Sequence, residues 1–332
     1  MFLNKYIVLL CLAIFCKFQN TIGQSISDLK LDNKQSILNN RAFFLFPATA
    51  KNTARSTDIM STDHNINQET RIVLDTGKMR IVFFAQEDYK LGDKDLYQEI
   101  LKEKNKLGFR TKILKDYDSI ISILSTPTTF DSTRQAILVN SLVVKIQDNS
   151  IFKINAYINP EAFKLKDEYI KLSEAVFRTL TKGSRINDLS PREEKINIFG
   201  TKKDFVISLP QNYCVTVDKK YDFQVIHFHK FTNYMDTDRI SLTIYTGNHP
   251  SYFYHEYELD EKSAKKVSGK FLEKKIEWLT FRDAEKDMFL KEQMMPSDDI
   301  EKDLIVHIAM ISDVGSLIDE LTKIVEGIKI KR

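Results

Sequence analysis

The fold is decided by the C-terminal stretch LIVHIAMISDVGSLIDELTKIVEGIK, residues 304–329. Its first part, Leu304 to Ile311, is apolar on both faces, which is typical of a central strand that is covered on both sides. Asp313 then predicts the start of a helix, because Asp is a favoured N-cap residue. Apolar side chains recur along this helix at helical spacing, which predicts one buried stripe made of Leu317, Leu321, Ile324, Val325 and Ile328.

The first half of the chain carries the same kind of pattern. Asn159-Pro160 predicts a helix start and Gly183 a helix end, with an apolar stripe between them. Several strands precede each long helix, and a short polar helix is predicted midway in each half, at 95–106 and at 260–267. The sequence therefore predicts an α+β fold of two tandem domains, each an antiparallel sheet flanked by helices, with a C-terminal helix packed on the sheet.

Shifts in composition divide the chain into five segments. We predict a signal peptide at 1–23, an N-terminal extension at 24–40, a first α+β domain at 41–183, a linker at 184–198 and a second α+β domain at 199–332. The linker is charged and contains Ser190-Pro191, a composition typical of connections between domains.

This order of elements resembles the PsbP-like family, named for an extrinsic subunit of photosystem II. Two pairs of segments carry the resemblance: Phe43–Pro47 with Asn159–Gly183, and Phe205–Tyr213 with Leu304–Lys329. The resemblance implies two tandem sandwich domains in a protein that binds or stabilises partners without catalysis. It rests on hydrophobic patterns and implies no functional residue.

The N-terminus is typical of an export signal. Lys5 precedes the apolar run from Ile7 to Phe15, which is too short for a stable membrane anchor, and Thr21-Ile22-Gly23 predicts cleavage before Gln24. The bulky Phe15 before Cys16 argues against a lipoprotein. We therefore expect an exported protein, periplasmic or extracellular, with no transmembrane segment in the processed chain.

Charge and cysteine content restrict the partners and the source of stability. Two of the 49 Lys and Arg residues lie in the signal segment, so 47 bases face 46 acids after cleavage. This near-neutral balance argues against nucleic acid as a partner. Cys214 is then the one remaining thiol, so it cannot form an intrachain disulfide, and we expect it to be a buried, inert residue.

No catalytic signature appears in the sequence. It lacks a Gly-x-Ser-x-Gly elbow, a phosphate-binding Gly-rich loop, a His-Glu-x-x-His motif and a Cys-x-x-Cys motif. We therefore expect a non-catalytic accessory or binding protein that recognises a protein or another envelope component, with no catalytic residue assigned. A carboxylate-based hydrolase remains an alternative, because two acids placed by the fold would be enough.

A His-x-His pair provides a second alternative, a metal-binding protein. His227 and His229 flank Phe228, and residues two apart on a strand point to the same face. Together with His249 and His255 they could ligate a transition metal, so a metal is the one cofactor considered. The competing interpretation is structural: Ile226 and Phe228 face the core, and the two histidines lie on the wetter face of the strand. We expect His307, in the apolar strand, to be a hydrogen-bonded interior residue.

An aromatic cluster is the candidate partner-binding surface. Tyr252, Tyr254 and Tyr257 follow one another closely, and tyrosines supply rigid amphipathic contact area. The alternative is that these rings cover the sheet as ordinary packing residues.

Overall fold

The computed structural model describes residues 25–53, 69–117, 119–297 and 300–331, so the predicted signal peptide lies outside the described residues. The chain forms mainly antiparallel sheets with few helices, and the predicted α+β class is confirmed. Within the described ranges, no helix is both long enough and apolar enough to cross a membrane.

In the first half, the strands are β1 (Leu31–Ile37), β2 (Ala42–Pro47), β3 (Lys51–Asn52), β4 (Glu69–Thr76), β5 (Met79–Leu91), β6 (Phe109–Tyr117), β7 (Ile120–Pro127), β8 (Ile137–Lys145), β9 (Ser150–Ile158) and β10 (Thr181–Lys182), and the helices are α1 (Leu96–Lys106) and α2 (Lys166–Arg178). A large sheet has the strand order β3-β4-β5-β9-β8-β7-β6, and a small sheet has the order β1-β2-β10.

In the second half, the strands are β11 (Arg192–Asn197), β12 (Asp204–Leu209), β13 (Tyr213–Lys219), β14 (Phe223–Lys230), β15 (Thr232–Asn233), β16 (Ile240–Gly247), β17 (Lys265–Phe271), β18 (Lys274–Asp283), β19 (Met288–Pro296), β20 (Ile305–Ser312) and β21 (Lys329–Lys331), and the helices are α3 (Phe253–Glu256) and α4 (Gly315–Glu326). The large sheet has the strand order β13-β14-β16-β20-β19-β18-β17, and a small sheet has the order β11-β12-β21.

Strand β20 is central, as predicted, because it pairs with β16 on one side and β19 on the other. Alternate residues Val306, Ile308 and Met310 join the core under α4. The helix buries Ile318, Leu321, Ile324 and Val325. The predicted Leu317 is only half-buried, so the stripe begins one residue later than expected.

Each half has its own hydrophobic core. In the first, Phe177 of α2 meets Phe44 and Phe83 edge-on, with ring centroids 6.2 and 6.0 Å away. Aromatic pairs prefer such an edge-on arrangement. In the second, Leu321 and Val325 of α4 pack in a separate cluster with residues of the large sheet.

Three local predictions were wrong. Residues 260–267 are one 3-10 turn at Glu261–Ser263 followed by β17, because pairing with β18 outweighs local helix preference. Helix α2 ends at Arg178, and Gly183 instead lets the chain approach Asn40, where a Cβ would lie 1.7 Å from the carbonyl oxygen. Val314 is the N-cap of α4, and the Asp313 carboxylate accepts a hydrogen bond from the backbone N–H of Arg239.

The segments predicted as extension and linker both contain paired strands. Residues 31–37, within the predicted extension, form β1 against β2. Residues 192–197, within the predicted linker, form β11 against β12. Neighbouring linker residues bind the first half, since Arg185 donates to the carbonyl of Leu38 at 2.9 Å.

Candidate binding cleft between the two sheets

A bulge in β5 carries the residue of the first half that stacks on the second half. The register of β5 with β9 breaks between Glu87 and Lys90, and Tyr89 has a φ of 49°. A left-handed backbone is uncommon for a bulky residue, and bulges commonly redirect a side chain. Tyr89 stacks on His229 of the second half, with ring centroids 3.8 Å apart, and meets Phe231 edge-on at 5.4 Å.

The His-x-His pair of β14 lies under this contact. His227 and His229 share a face, with ring centroids 6.4 Å apart, and each is 6% exposed. The expected wetter face is therefore wrong, because both rings are buried and Tyr89 of the first half covers His229, whereas Ile226 and Phe228 face the core as expected. Burial, and then the proximity of His227, lower the pKa of His229 to about 3, so its ring is neutral at physiological pH.

Backbone pairing extends the contact. The short strand β15 runs parallel to the end of β5, pairing Thr232 with Lys90. Lys90 Nζ donates to Thr232 Oγ1 at 2.8 Å and also to the carbonyl of Asp236. Next in sequence, the Tyr234 hydroxyl donates to Glu103 of α1 at 2.5 Å. Residues 232–236 are thereby tied to the first half.

Beside these contacts lies an open cleft of about 650 Å³, a volume within the range of small-molecule sites, roughly 300–1,000 Å³. We call it the cleft. Both halves line it: Glu87, Asp88, Tyr89 and Lys90 on one side, and His229, Lys230, Thr232, Asp236, Thr237, Asp238, Arg239, Ile240, Ser241, Tyr257, Met288, Ile311 and Ser312 on the other.

A buried ion-pair network supports the β5 wall. Arg41 is fully buried and contacts Glu87 Oε1 and Asp148 Oδ2, each at 2.8 Å. Burial raises the pKa of Glu87 above its usual value despite attraction to Arg41 and Arg185. Burial would also raise the pKa of Asp148, but Arg41 and hydrogen bonds from Ser150 and Asn187 lower it overall. The arginines thus fix Glu87 at the cleft.

The predicted tyrosines are divided between packing and the cleft. Tyr254 is buried and Tyr252 packs edge-on against His307, so these two cover the sheet. Tyr257 lines the cleft. Glu292 anchors this aromatic segment to the sheet, because its carboxylate accepts hydrogen bonds from the backbone N–H groups of Phe253 and Tyr254, both at 2.9 Å.

His307 is buried as expected, 2.8 Å from Glu292 Oε2. By contrast, His249 and His255 are exposed, unlike the buried pair on β14. In the part of the chain that the structure describes, no three His, Cys, Asp or Glu side chains are grouped so as to hold a metal ion. Cys214 is half-buried rather than fully buried, and burial raises the pKa of its thiol to about 12, which agrees with an inert residue.

Several cleft residues were not identified from the sequence, among them Glu87, Tyr89 and Lys90. The available signal was the polar run Asp236-Thr237-Asp238-Arg239, which is typical of any surface loop.

No protein-family model matches the sequence, and no curated protein matches it. Among solved structures, the chain is similar to the crystal structure of MucB in complex with MucA(peri), with 7% identity, 87% of each chain covered and a TM-score of 0.18. That likeness is too low to support an inference about this chain, and the PsbP-like resemblance stays a prediction.

Proposed function

We propose that this chain is an exported, non-catalytic binding protein that holds its ligand in the cleft. The observation that carries the proposal is the cleft itself, a concave site of suitable volume to which both halves contribute side chains. The stacked Tyr89 and His229 and the paired strands β5 and β15 make its walls preorganised. Preorganised walls lower the entropic cost of binding.

The contacts of Glu87 and Asp88, two of the four acids that line the cleft, favour binding over hydrolysis. A carboxylate hydrolase needs two carboxyl groups that can exchange protons with the substrate. Glu87 Oε1 contacts Arg41 at 2.8 Å and Arg185 at 3.3 Å, and Asp88 pairs with Lys153 at 2.8 Å. These acids therefore have structural cations as partners.

Site-specific photo-crosslinking tests the proposal. A photoreactive residue placed at the exposed, cleft-lining Thr237 should capture the ligand in cells, whereas the same residue at exposed Asp116 on β6 should not. Ser241→Trp, which places a large ring inside the cleft, should abolish the adduct at Thr237 in a folded protein. Equal adducts at both positions, or an adduct that survives Ser241→Trp, would contradict the proposal.

Export is proposed on the signal-like segment alone. Expression of the full chain followed by N-terminal sequencing of the exported protein should show a start at Gln24. Retention of the uncleaved chain in the cytoplasm would contradict this part of the proposal without bearing on the cleft.

A further inference from the structure

The outer edge of β6 is an open end of the large sheet in the first half. β6 is the last strand of that sheet, and within the described ranges it pairs with β7 alone. The backbone N–H and C=O groups on its other side therefore face away from the sheet. An edge of this kind can accept another extended chain as a further strand.

The second half shows how such an edge can be capped. β17 is the last strand of its large sheet, and the backbone N–H of Lys270 donates to Glu326 of α4 at 3.2 Å. The corresponding helix of the first half, α2, presents Glu174 to the ammonium group of Lys112 instead, at 2.9 Å. This carboxylate binds a side chain, so it leaves the backbone of β6 available to a partner.

Positive charge is concentrated along this edge. Residues 102–117 contain six bases and two acids, and β7 adds no ionisable side chain. The bases are Lys102, Lys104, Lys106, Arg110, Lys112 and Lys115, and the acids are Glu103 and Asp116. Arg110 is exposed and forms no ion pair with a described residue. In a chain whose total charge is close to neutral, this edge therefore attracts carboxylates.

The two faces of β6 differ in chemistry. Lys112 and Lys115 lie on the face towards α2, because the bulge after Ile113 returns the alternation of side chains to the same side. Lys112 contacts Glu174 of α2. Lys115 donates to the carbonyl of Leu180, just after that helix. Ile113 lies on the other face and is exposed. A strand added here would meet bases on one face and an aliphatic side chain on the other.

The bases also restrict what can pair with this edge. Two copies of this chain joined edge to edge through β6 would bring their bases together, and like charges across an interface disfavour association. Lysines on an edge strand likewise protect it against uncharged or basic strands. An acidic strand is attracted by the same bases. Leu107, just before β6, and Tyr117, its last residue, are more than half exposed, so apolar side chains of that strand would also find contacts.

We propose that the outer edge of β6 binds an extended segment of a partner protein in which acidic and apolar residues alternate. The backbone of the segment pairs with the open edge, its carboxylates face Arg110, Lys112 and Lys115, and its apolar side chains contact Ile113. No residue of β6 lines the cleft. This partner is therefore distinct from the cleft ligand, and a photo-adduct at Asp116 would contain an acidic protein and differ in mass from the adduct at Thr237.

Fluorescence anisotropy with three labelled peptides of nine residues, the length of β6, tests the proposal. The first alternates glutamate and valine, the second has lysine for each glutamate, and the third is the first with a methyl group on every backbone nitrogen. The acidic peptide should bind at least about tenfold more tightly than the lysine peptide, because like charges repel. It should also exceed the methylated peptide at least about tenfold, because strand addition needs backbone N–H donors.

Charge reversal and hydrogen exchange locate the binding. Arg110→Glu should weaken binding of the acidic peptide about fivefold or more. Arg110 is exposed, so the variant should fold normally. Lys265→Glu, the same charge change at an exposed position of β17, should leave the affinity unchanged. The bound peptide should protect backbone amides of β6 against exchange and leave those of β17 as they were.

Equal binding of the lysine or the methylated peptide would overturn the proposal. So would protection at β17 in place of β6, or no binding of the acidic peptide. Sedimentation with phosphatidylglycerol vesicles covers the competing occupant: binding to vesicles that Arg110→Glu removes, without peptide binding, would assign this edge to an anionic lipid surface instead.

Discussion

The phenol ring of Tyr89 lies face to face on the imidazole of His229, with centroids 3.8 Å apart and planes 5° from parallel. The two residues belong to different large sheets and both line the cleft. The stack therefore joins the halves at the position where the candidate ligand site is formed. Tyr89 also has a left-handed backbone, which is uncommon for a bulky residue.

Tyr89→Ala should lower the free energy of unfolding by roughly 1–3 kcal/mol, because it removes the stack and the edge contact with Phe231. Urea denaturation measures this change. Tyr89→Phe retains the ring and serves as the control, with an expected loss below about 1 kcal/mol. An alanine variant as stable as the wild type would show that the stack does not stabilise the protein.

Stability should fall on acidification because of His229. Its pKa is near 6.5 when unfolded and about 3 when folded, so the unfolded state binds the extra proton below about pH 6.5. This contribution is fully present above that pH and is lost progressively as pH falls toward 3. Between about pH 7 and about pH 5, the free energy of unfolding should fall by about 2 kcal/mol because of this residue.

His229→Phe keeps a ring against Tyr89 and removes the titrating group. The variant should therefore lose correspondingly less stability over this interval in urea titrations; an identical loss would contradict a neutral, buried His229.

Gly269→Ala should destabilise the second half by roughly 1–3 kcal/mol, because its Cβ would lie 2.2 Å from Nε1 of the fully buried Trp278. Trp278 is the single tryptophan of the chain, so its fluorescence reports the displacement directly. We expect a red-shifted emission and a lower urea midpoint. Ser268→Ala, at the exposed neighbouring position of β17, should change neither quantity. An unshifted emission in the glycine variant would argue against this packing.

Glu292→Gln should cost about 2–4 kcal/mol, because a fully buried carboxylate accepts from two backbone N–H groups and contacts His307. The amides of Phe253 and Tyr254 should also lose protection against hydrogen exchange. Glu277→Gln disrupts only a surface pair with Lys266 and should cost less than about 1 kcal/mol. Unchanged exchange at α3 would show that Glu292 does not anchor this helix.

Much of the candidate site could not be read from residue patterns. The bulge at Tyr89 depends on how β5 pairs with β9, and the parallel pairing of β15 with β5 joins segments distant in the chain. Strand alternation predicts that His227 and His229 share a face, but the cover that Tyr89 of the first half provides over His229 cannot be predicted from the strand alone. The helix prediction for 260–267 has a different cause: polar composition alone predicts a helix there, whereas Lys265 pairs with Thr280 in the hairpin that β17 forms with the next strand, β18.

By itself, the sequence determined the α+β class and the central position of β20, because hydrophobic periodicity acts over a few neighbouring residues. Only the tertiary structure decided where the two halves meet and that the meeting place leaves a cleft. Burial of Glu87, Arg41 and His229 depends on contacts between distant segments, and those contacts set the charges and the pKa values of the site.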